Sequence, residues 1–388
     1  HVQVCFGLSF TIPIPKVKDC RTKALTTDDF RGIAISCVLS KVYELCIYDR
    51  FQHYLCSSDN QFGFKKNIGC NHAIYSVRKI VEKLVNEGNT VNLCALDLSK
   101  AFDKTDHHAL FIKLMKRHVP IELLTSLENW FSNCWTCVKW GSSLSKFFQI
   151  NLGVRQGSVL SPVLFAIYVN DIVSNNSVYN GTFIILYADD ILLIAPSINL
   201  LQSLLHFCES ELNYLNMLIN AKKSCCLRIG PRFDFTCANI NTLSGQIIPW
   251  VEQFRYLGVF IVQSRVFKVS TSYAKRSFYR ALNSIYGKIG RFASEDVVLH
   301  LVNSKCVPIL IYGLEACPLN NADKKSLDFA LNRFLFKLFK TNNKDVVDEC
   351  SWYFGFYSAS DRIAKFSVRF IDRFINSDNL LCQIVKDY

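Results

Sequence analysis

Apolar and polar positions along this chain follow two periods, one typical of strands and one typical of helices. Val91–Leu96, Phe183–Leu186 and Ile191–Ile194 are apolar runs of strand length, so each predicts a short buried strand. The last two runs flank Tyr187-Ala188-Asp189-Asp190. They therefore predict a hairpin with both aspartates at its tip.

Apolar residues at helical spacing predict helices over much of the remaining chain. The predicted helical segments are Ser36–Tyr54 (with Val38, Val42, Leu45 and Tyr48 in its apolar pattern), His72–Val85, Ala109–His118, Ser161–Ile172 and Leu200–Leu218. Val2–Lys18 contains two prolines and predicts extended chain. Phe254–Val262 predicts a strand, and the chain becomes helical from residue 264 onward. This alternation predicts an α+β fold with an antiparallel sheet and acids at the strand ends.

Composition indicates a folded protein with a polyanionic partner. The chain has 388 residues, of which 50% are hydrophobic and 13% aromatic, which excludes a disordered chain. The net charge is +12, and residues 264–345 hold 14 Lys and Arg against 6 Asp and Glu, a net charge of +8. A basic balance of this kind favours nucleic acid as the partner.

The cysteines indicate a reducing compartment rather than a secreted disulfide scaffold. The chain has 17 cysteines, and many lie in apolar runs, as Cys37, Cys94 and Cys208 do, so we interpret them as reduced core residues. Cys134 and Cys137 form a CxxC without a second pair at zinc spacing, which argues against a metal site there. No uninterrupted apolar stretch reaches transmembrane length, so no membrane partner is expected.

Three acids are the candidate chemistry of the chain. Asp97 directly follows one predicted strand, while Asp189 and Asp190 lie at the hairpin tip. A polar hairpin turn would explain the pair alone, and a helix N-cap would explain Asp97 alone. Together, three acids on two neighbouring strands could hold two Mg²⁺ ions for phosphoryl transfer.

An ordered series of motifs resembles a reverse transcriptase, and more narrowly the polymerase of a non-LTR (LINE-type) retrotransposon. The series is Gln61-Phe62-Gly63-Phe64, Asp97–Asp103, Gln156-Gly157 with Leu160–Phe165, Tyr187–Asp190, Asn220 through Lys223-Ser224, Tyr256-Leu257-Gly258 and Pro308–Glu315. The resemblance covers residues 10 to 320. It implies a right-hand polymerase with fingers, a palm that contains the antiparallel sheet, and a mainly helical thumb.

The resemblance also implies a catalytic site. Asp97, Asp189 and Asp190 would be the catalytic carboxylates and the ligands of two Mg²⁺ ions, with Mn²⁺ as a substitute. The main-chain carbonyl of Leu98 would be a further ligand. Asp103 belongs to the motif but is interpreted as structural, and His107 and His108 as surface or packing residues.

Nucleotide-binding roles follow from the same resemblance. Phe102 would close against the sugar 2′ carbon, with a core phenylalanine as the alternative. Gln156 and Gly157 would contact the incoming nucleotide and the template backbone. Arg31 matches a triphosphate contact, although Arg31-Gly32-Ile33 lacks the family's proline, so a surface arginine stays open and Lys16 is a second candidate. Lys223 would neutralise or protonate pyrophosphate, and the adjacent Lys222 is the alternative.

Two further elements would hold nucleic acid. Tyr256, Leu257 and Gly258 resemble a primer-grip hairpin, with an ordinary strand end as the alternative. Lys275, Arg276 and Arg280 lie on a helix whose opposite face carries Ala274, Phe278, Leu282, Ile285 and Ile289. This helix could track template–primer phosphates or present a solvated face to water.

The combined prediction is an RNA-directed DNA polymerase of a non-LTR retrotransposon that uses an RNA template, a DNA primer or target and deoxynucleoside triphosphates. The predicted parts are residues 1–262 as fingers and palm, residues 263–345 as a thumb-like region and residues 346–388 as a helical extension. A group II intron-type or telomerase-type enzyme and a catalytically decayed nucleic-acid-binding remnant stay open as alternatives. We expect a fragment of a longer reading frame, in the nucleus or the cytoplasm or both, with no prediction of its oligomeric state.

Overall fold

The protein is described by a computed structural model that covers residues 4–16, 24–174, 181–289 and 292–388. The N-terminal part forms α1 (Val4–Gly7), β1 (Leu8–Pro15), β2 (Phe30–Ser36), α2 (Val38–Phe51) and α3 (Cys70–Asn86). The prediction of extended chain over 2–18 holds for β1. It is wrong for α1, a single helical turn that packs on α2 and on the segment 121–132. Residues 2, 3, 17 and 18 lie outside the described residues.

The middle of the chain supplies the central strands and the helices around them. Its first half forms β3 (Val91–Leu96), α4 (His107–Lys116), α5 (Ile121–Ser132), β4 (Trp135–Trp140), β5 (Ser143–Leu144), β6 (Phe148–Gln149), α6 (Ser161–Tyr168) and α7 (Asp171–Ser174). Its second half forms β7 (Phe183–Tyr187), β8 (Asp190–Ala195), α8 (Ile198–Tyr214), β9 (Cys225–Ile229), β10 (Ile240–Asn241), β11 (Ile247–Ile248), β12 (Gln253–Tyr256) and β13 (Val259–Val262). The predicted strand Val91–Leu96 and the predicted hairpin are confirmed.

The prediction of one strand over Phe254–Val262 is wrong. The segment is a hairpin in which Leu257 and Gly258 form the turn between β12 and β13. Both turn residues have left-handed backbone, with φ of 45° at Leu257 and 97° at Gly258. Leucine rarely adopts this conformation, so the apolar run hid the reversal.

The C-terminal part is helical, as the pattern predicts. It contains α9 (Ser272–Ile289), α10 (Glu295–Leu301), α11 (Val307–Ile311), α12 (Asn321–Leu338), α13 (Lys344–Tyr353), α14 (Ala359–Ile375) and α15 (Leu380–Val385). By length and composition alone, the helical run Glu295–Ala316 could cross a membrane, and half of it is buried within the protein. That buried half packs against α9 and α14, which accounts for its hydropathy.

A four-stranded antiparallel sheet with strand order β7-β8-β3-β9 organises the structure. Successive side chains of a strand point to opposite faces. Leu93 and Leu192 pack on one face with α3 and the C-terminal helices, whereas Cys94 and Leu193 pack on the other with α4, α6 and α8. Because both faces are covered, the strands are mainly apolar, although β3 contains the buried Asn92 and β9 contains Arg228.

A second sheet is formed by strands between residues 8 and 149. Its strand order is β2-β1-β4-β5, with β6 paired to β4. Helix α2, which follows β2, leaves most of its predicted apolar pattern exposed. Val38 is 75% exposed, Val42 50% and Leu45 52%. Glu44 and Ile47 are buried instead. The prediction that Cys37 is a core residue is also wrong, since it is exposed and caps α2 by accepting a hydrogen bond from Ser40 N. Cys94 and Cys208 are buried as predicted.

The C-terminal helices return to the N-terminal half. Asn379 Nδ2 donates to the main-chain oxygen of Asp59 over 2.8 Å, and Lys83 Nζ lies 3.7 Å from the centroid of the Tyr388 ring. His72 of α3 is buried against Phe370 and Phe374 of α14. Burial, with a smaller effect of Arg373, lowers the pKa of His72.

We predict that this histidine makes stability depend on pH. Above pH 6.5 His72 is neutral in both the folded and the unfolded chain. As pH falls below 6.5 the unfolded chain takes up a proton that the folded chain resists, so stability is lost toward the lower folded pKa. The urea midpoint of the wild type should therefore fall between pH 7 and pH 5, and His72→Asn should flatten that fall. Parallel profiles for the two proteins would contradict the assignment.

Candidate active site

The register of the central sheet brings the three predicted acids together. Leu96 pairs with Ile191, and one further step along the same register sets Asp97 opposite Asp190. Tyr187 pairs with Asp190 across the hairpin, so Ala188 and Asp189 form the tip. The prediction of a hairpin tip beside a neighbouring acid strand is confirmed.

Electrostatics show that the three carboxylates share one site. Asp189 and Asp190 keep solvent-accessible surface. Burial by the surrounding protein is nevertheless the largest contribution to the raised pKa of each carboxyl group. Burial and the charge of Asp97 raise the pKa of Asp189, while Arg31 lowers it. Burial, Asp189 and Asp97 raise the pKa of Asp190 to about 6, against the opposing charge of Arg255.

This crowding of negative charge fits a divalent cation. Across the described ranges, no group of three Asp, Glu, His or Cys side chains stands in a ready metal-holding arrangement. The charge of Asp97 nevertheless raises the pKa of Asp189 and of Asp190, and Asp189 also raises that of Asp190. A cation between the three carboxylates would remove that repulsion. Carboxylate oxygens are also the ligands that Mg²⁺ prefers.

The segment 218–224 holds the main chain of Asp97 in place. Asp97 N donates to Ser224 Oγ over 3.1 Å, and Asn220 N donates to Asp97 O over 2.8 Å. Ser99 N donates to Leu218 O. Leu98 lies opposite Ile219 in an antiparallel bridge, and the hydrogen bonds of this bridge are made by the residues on either side of Leu98 and Ile219. The Leu98 carbonyl therefore points away from this bridge.

A buried glutamine holds the tip of the hairpin. Gln61 is fully buried, and its Oε1 accepts from Ala188 N over 3.0 Å and from Gly63 N over 2.9 Å. Ala188 has a left-handed φ of 57°, which an alanine adopts only when its surroundings enforce it. A Cβ at Gly63 would lie 2.6 Å from Ala188 N. The motif Gln61-Phe62-Gly63 is therefore the support of the acid turn, a role that its letters alone did not indicate.

Two of the predicted cations face the acids. Arg31 lies on β2 opposite Ile14, and its positive charge lowers the pKa of Asp189. The neighbouring Gly32 pairs with Pro13 in regular register, so the missing proline does not disrupt the strand. Lys223 Nζ lies 3.9 Å from Asp97 Oδ2, whereas Lys222 has no such contact among the described ion pairs. The alternative candidate Lys16 bonds instead to the main chain of Asp28.

The Gln156-Gly157 turn is fixed against β2. Ala34 N donates to Gln156 O over 2.8 Å, and Gly157 has a φ of 126°. A Cβ at Gly157 would lie 2.4 Å from Ala34 O, so only glycine fits here. Gln156 Nε2 reaches Asp103 Oδ1 at 3.5 Å, in line with the structural role predicted for Asp103.

The sequence missed a buried carboxylate behind this turn. Glu44 of α2 is fully buried, and its Oε2 accepts from Ser158 Oγ, Val159 N and Leu160 N at 2.5, 2.5 and 2.9 Å. It thereby satisfies amides at the start of α6. The sequence did not single out Glu44, because α2 also contains the charged residues Lys41, Asp49 and Arg50.

Phe102 lies between two other phenylalanines. Its ring stacks on Phe165 with centroids 4.4 Å apart and meets Phe64 edge-on at 6.4 Å. Phe102 is half-buried. One edge of the ring is thus fixed by the core, while part of its surface stays open.

The predicted primer-grip hairpin borders the acid site. A cleft of about 830 Å³ is lined by Asp190, Arg255, Leu257, Gly258 and Tyr312, among other residues. Arg255 was not predicted, although it alternates with the buried Phe254 and Tyr256, and strand alternation sends it to the opposite, cleft side.

The predicted basic helix is α9, and its three cations differ in exposure. Lys275 Nζ donates to Ser326 Oγ on α12, and Arg276 lies over the ring of Tyr273. Arg280 is exposed. Phe278 and Leu282 face the core.

Comparison with known proteins identifies one family. The family described as "Reverse transcriptase (RNA-dependent DNA polymerase)" matches residues 14–261. The "Probable RNA-directed DNA polymerase from transposon BS" of Drosophila melanogaster is 24% identical over 74% of this chain and 33% of its own length. The "RNA-directed DNA polymerase from mobile element jockey" of Drosophila funebris is 27% identical over 66% of this chain and 29% of its own length.

A third relative is the "Retrovirus-related Pol polyprotein from type-1 retrotransposable element R2" of Popillia japonica, 23% identical over 84% of this chain and 47% of its own length. The chain thus spans about a third of the length of the BS and jockey proteins. The predicted resemblance to a non-LTR retrotransposon polymerase, and with it the right-hand polymerase class, is confirmed.

Solved structures resemble the chain more distantly. Apo telomerase from Candida tropicalis, truncated from its C-terminal domain, has a TM-score of 0.48 at 14% identity and covers 70% of this chain and 56% of that chain. The RNA-dependent RNA polymerase of a human picobirnavirus, with an insertion loop deleted, has a TM-score of 0.47 at 12% identity and covers 98% of this chain and 64% of that chain. Neither similarity supports a functional conclusion.

Glu44 generates a stability prediction. Glu44→Leu removes the acceptor of one buried donor, Leu160 N, and of two half-buried donors, Ser158 Oγ and Val159 N. It should destabilise the protein by roughly 2–5 kcal/mol, since each unsatisfied donor that is shielded from water carries a desolvation penalty. Glu44→Gln keeps an acceptor oxygen and should lose much less. Urea unfolding followed by circular dichroism measures both, with Asp49→Leu on the exposed side of α2 as the control. Equal losses for the two Glu44 variants would contradict the acceptor role.

Proposed function

This chain belongs to the reverse transcriptase (RNA-dependent DNA polymerase) family, and from that premise we propose that it extends a DNA primer on an RNA template. The observation that carries the proposal is the convergence of Asp97, Asp189 and Asp190 at one end of the sheet, where the charge of Asp97 raises the pKa of both other aspartates. The relatives named above come from mobile elements, which supports a role in target-primed retrotransposition.

In this proposal Asp97, Asp189 and Asp190 are the catalytic carboxylates and would hold two Mg²⁺ ions, for which Mn²⁺ could substitute. The Leu98 carbonyl would be an additional oxygen ligand. When bound, such ions lower the pKa of a primer 3′-hydroxyl and neutralise charge on the triphosphate. The protein itself keeps the three carboxylates in register and fixes their main chain through Gln61 and Ser224.

The residues around the acids would align a deoxynucleoside triphosphate. Arg31 faces Asp189 and would pair with phosphate oxygens. Lys223, beside Asp97, would neutralise the departing pyrophosphate or give it a proton. Gln156 and Gly157 would contact the incoming nucleotide and the template backbone, with the Gln156 amide as a hydrogen-bonding group. Gly157 lets this turn lie directly against Ala34 of β2, and Phe102 would lie under the sugar.

Nucleic acid would occupy the cleft between the β12–β13 hairpin and α9. Tyr256, Leu257 and Gly258 would support the primer strand, with Arg255 as an added phosphate contact. Lys275, Arg276 and Arg280 of α9 would bind backbone phosphates without reading bases, in a segment whose net charge over residues 264–345 is +8.

We propose the following division of the chain: fingers and palm over residues 1–262, a thumb over 263–345 and a helical extension over 346–388. A location in the nucleus, the cytoplasm or both is proposed from the interpretation of the cysteines as reduced. The full protein's template, target site and partners are part of the same proposal.

Asp189→Asn tests the carboxylate role. The substitution removes one charge without changing the basic cleft, so primer extension on an RNA template with Mg²⁺ should fall by at least about 100-fold, the order of loss when a preorganised electrostatic contact is removed. Template–primer affinity, measured by fluorescence anisotropy, should change little. Asp234→Asn, at an exposed position, is the control. Extension at the wild-type rate would exclude Asp189 as a catalytic carboxylate.

Phe102→Val tests the sugar contact. A smaller side chain above Phe165 should make room for a 2′-hydroxyl, so the ratio of kcat/KM for ribonucleotides to that for deoxynucleotides should rise by roughly 10-fold or more. Phe111→Val, at a half-buried position on α4, controls for loss of packing. If a folded Phe102→Val enzyme kept the wild-type ratio, Phe102 would be only a core residue.

A further inference from the structure

The turn of the β12–β13 hairpin is held by a side chain from a distant part of the sequence. Tyr312 follows the last residue of α11, and its ring lies against Gly258. A Cβ at Gly258 would come within 2.5 Å of Tyr312 Cε1 and 3.2 Å of Cδ1. Gly258 is therefore glycine for two reasons, its φ of 97° and the aromatic ring that covers it.

The chain that follows Tyr312 is fixed by two contacts. Gly313 has a φ of 71°, and a Cβ there would lie 2.8 Å from Val259 Cγ1, on the strand that leaves the turn. Two residues later, Glu315 accepts a hydrogen bond from Asn71 Nδ2 over 2.5 Å. Since Asn71 belongs to α3, the segment 312–315 connects the hairpin to the helix that packs under the central sheet.

Tyr312 also connects to the acid turn. Burial, with a smaller effect of the Cys70 thiol, raises the pKa of the Tyr187 and Tyr312 hydroxyls, that of Tyr312 to about 12, and Cys70, Asp190 and Tyr312 line the same cleft. Tyr187 is the first residue of the turn that ends in Asp190. Tyr312 therefore contacts Gly258 and shares a cleft with Asp190, which pairs with Tyr187 across the acid hairpin.

We propose that Tyr312 is a positioning residue that sets the distance between the Leu257-Gly258 turn and the acids, and thereby the place of the primer 3′ end. This inference rests on the proposed function. Tyr312 is 48% exposed and lines the same cleft as Asp190 and Arg255. One face of its ring supports the turn while its remaining surface borders the space that a terminal nucleotide would occupy.

The physical reason for such a device lies in the turn itself. Leu257 has a φ of 45°, which is strained for a leucine and persists only where neighbours enforce it. Without the ring over Gly258, the turn can relax by a fraction of an ångström to an ångström. Displacements of about 1 Å between reacting groups can cost on the order of 100-fold in rate, although binding energy from phosphate contacts is unaffected.

The test compares Tyr312→Ala with Tyr312→Phe. Tyr312→Ala should lower kcat for primer extension by roughly 10- to 100-fold, while the template–primer Kd measured by anisotropy stays within about 3-fold of the wild type. Tyr312→Phe keeps the ring and should restore most of kcat. Tyr353→Ala, a 78% exposed tyrosine on α13, should behave as wild type. Equal kcat for wild type and Tyr312→Ala would overturn the proposal.

A double-mutant cycle with Gly258 separates positioning from general damage. Gly258→Ala is strained by its backbone in any background, but it meets the Tyr312 ring only when the ring is present. Its effect on kcat should therefore be at least about 10-fold smaller in the Tyr312→Ala protein than in the wild type, because contacting residues are not additive. Additive effects would overturn the proposed contact.

A readout without catalysis distinguishes this inference from the proposed function. A primer that carries 2-aminopurine as its 3′ nucleotide reports, by its fluorescence, whether the terminal base is held against its surroundings. Binding to wild type and Tyr312→Phe should quench the probe more than binding to Tyr312→Ala. Equal quenching by all three would overturn the inference. A wild-type protein that quenches the probe but extends no primer would contradict only the proposed polymerase activity.

Discussion

Burial of both faces of the β7-β8-β3-β9 sheet is the constraint on which the rest of the structure depends. Neither face can accept a carboxylate without a large desolvation cost, so acids are confined to the ends of the strands. The register that pairs Leu93 with Ile194 and Cys94 with Leu193 also brings Asp97, directly after β3, to the end of the sheet at which Asp190 begins β8. A slip by one residue would turn every side chain of β3 to the wrong face. The same pairing therefore secures the core and assembles the site.

Three hydrogen-bond acceptors from different parts of the chain fix the main chain around the acids more closely than the strand register alone. Gln61 holds the amide of Ala188, Ser224 accepts from Asp97 N, and Glu44 collects the donors of the segment that follows Gly157. All three act on main-chain or hydroxyl donors, so the acids keep their own oxygens available. Repulsion among the acids is left uncompensated by this framework, which is consistent with a site built to receive positive charge.

Exposed cations and the C-terminal helices, which lie outside the central sheet, also contribute to the site. Arg31 comes from the second sheet and Arg255 from the hairpin, and they lower the pKa of Asp189 and Asp190 respectively. The C-terminal helices share a core with α3 and the sheet, and Asn379 bonds back to Asp59. The helices beyond the family match are thus packed onto the same core as the acids. Through Tyr312, whose ring lies against Gly258, this packing also reaches the turn of the β12–β13 hairpin.

The sequence by itself determined the apolar strands, the hairpin that carries Asp189 and Asp190, the positions of most helices and the family. These features depend on local periodicity and on motifs contiguous along the chain. The apolar pattern did not reveal the reversal at Leu257, which only the resemblance to a primer-grip hairpin implied, because a leucine in left-handed backbone has no local signature. Nor did it reveal the inward face of α2, where Glu44 is buried while Val38 is exposed. Only the tertiary structure decided these, since the partners of Glu44, Gln61 and Tyr312 lie 114, 127 and 54 residues away. Contacts at such separations depend on the closure of the whole fold, which no local pattern encodes.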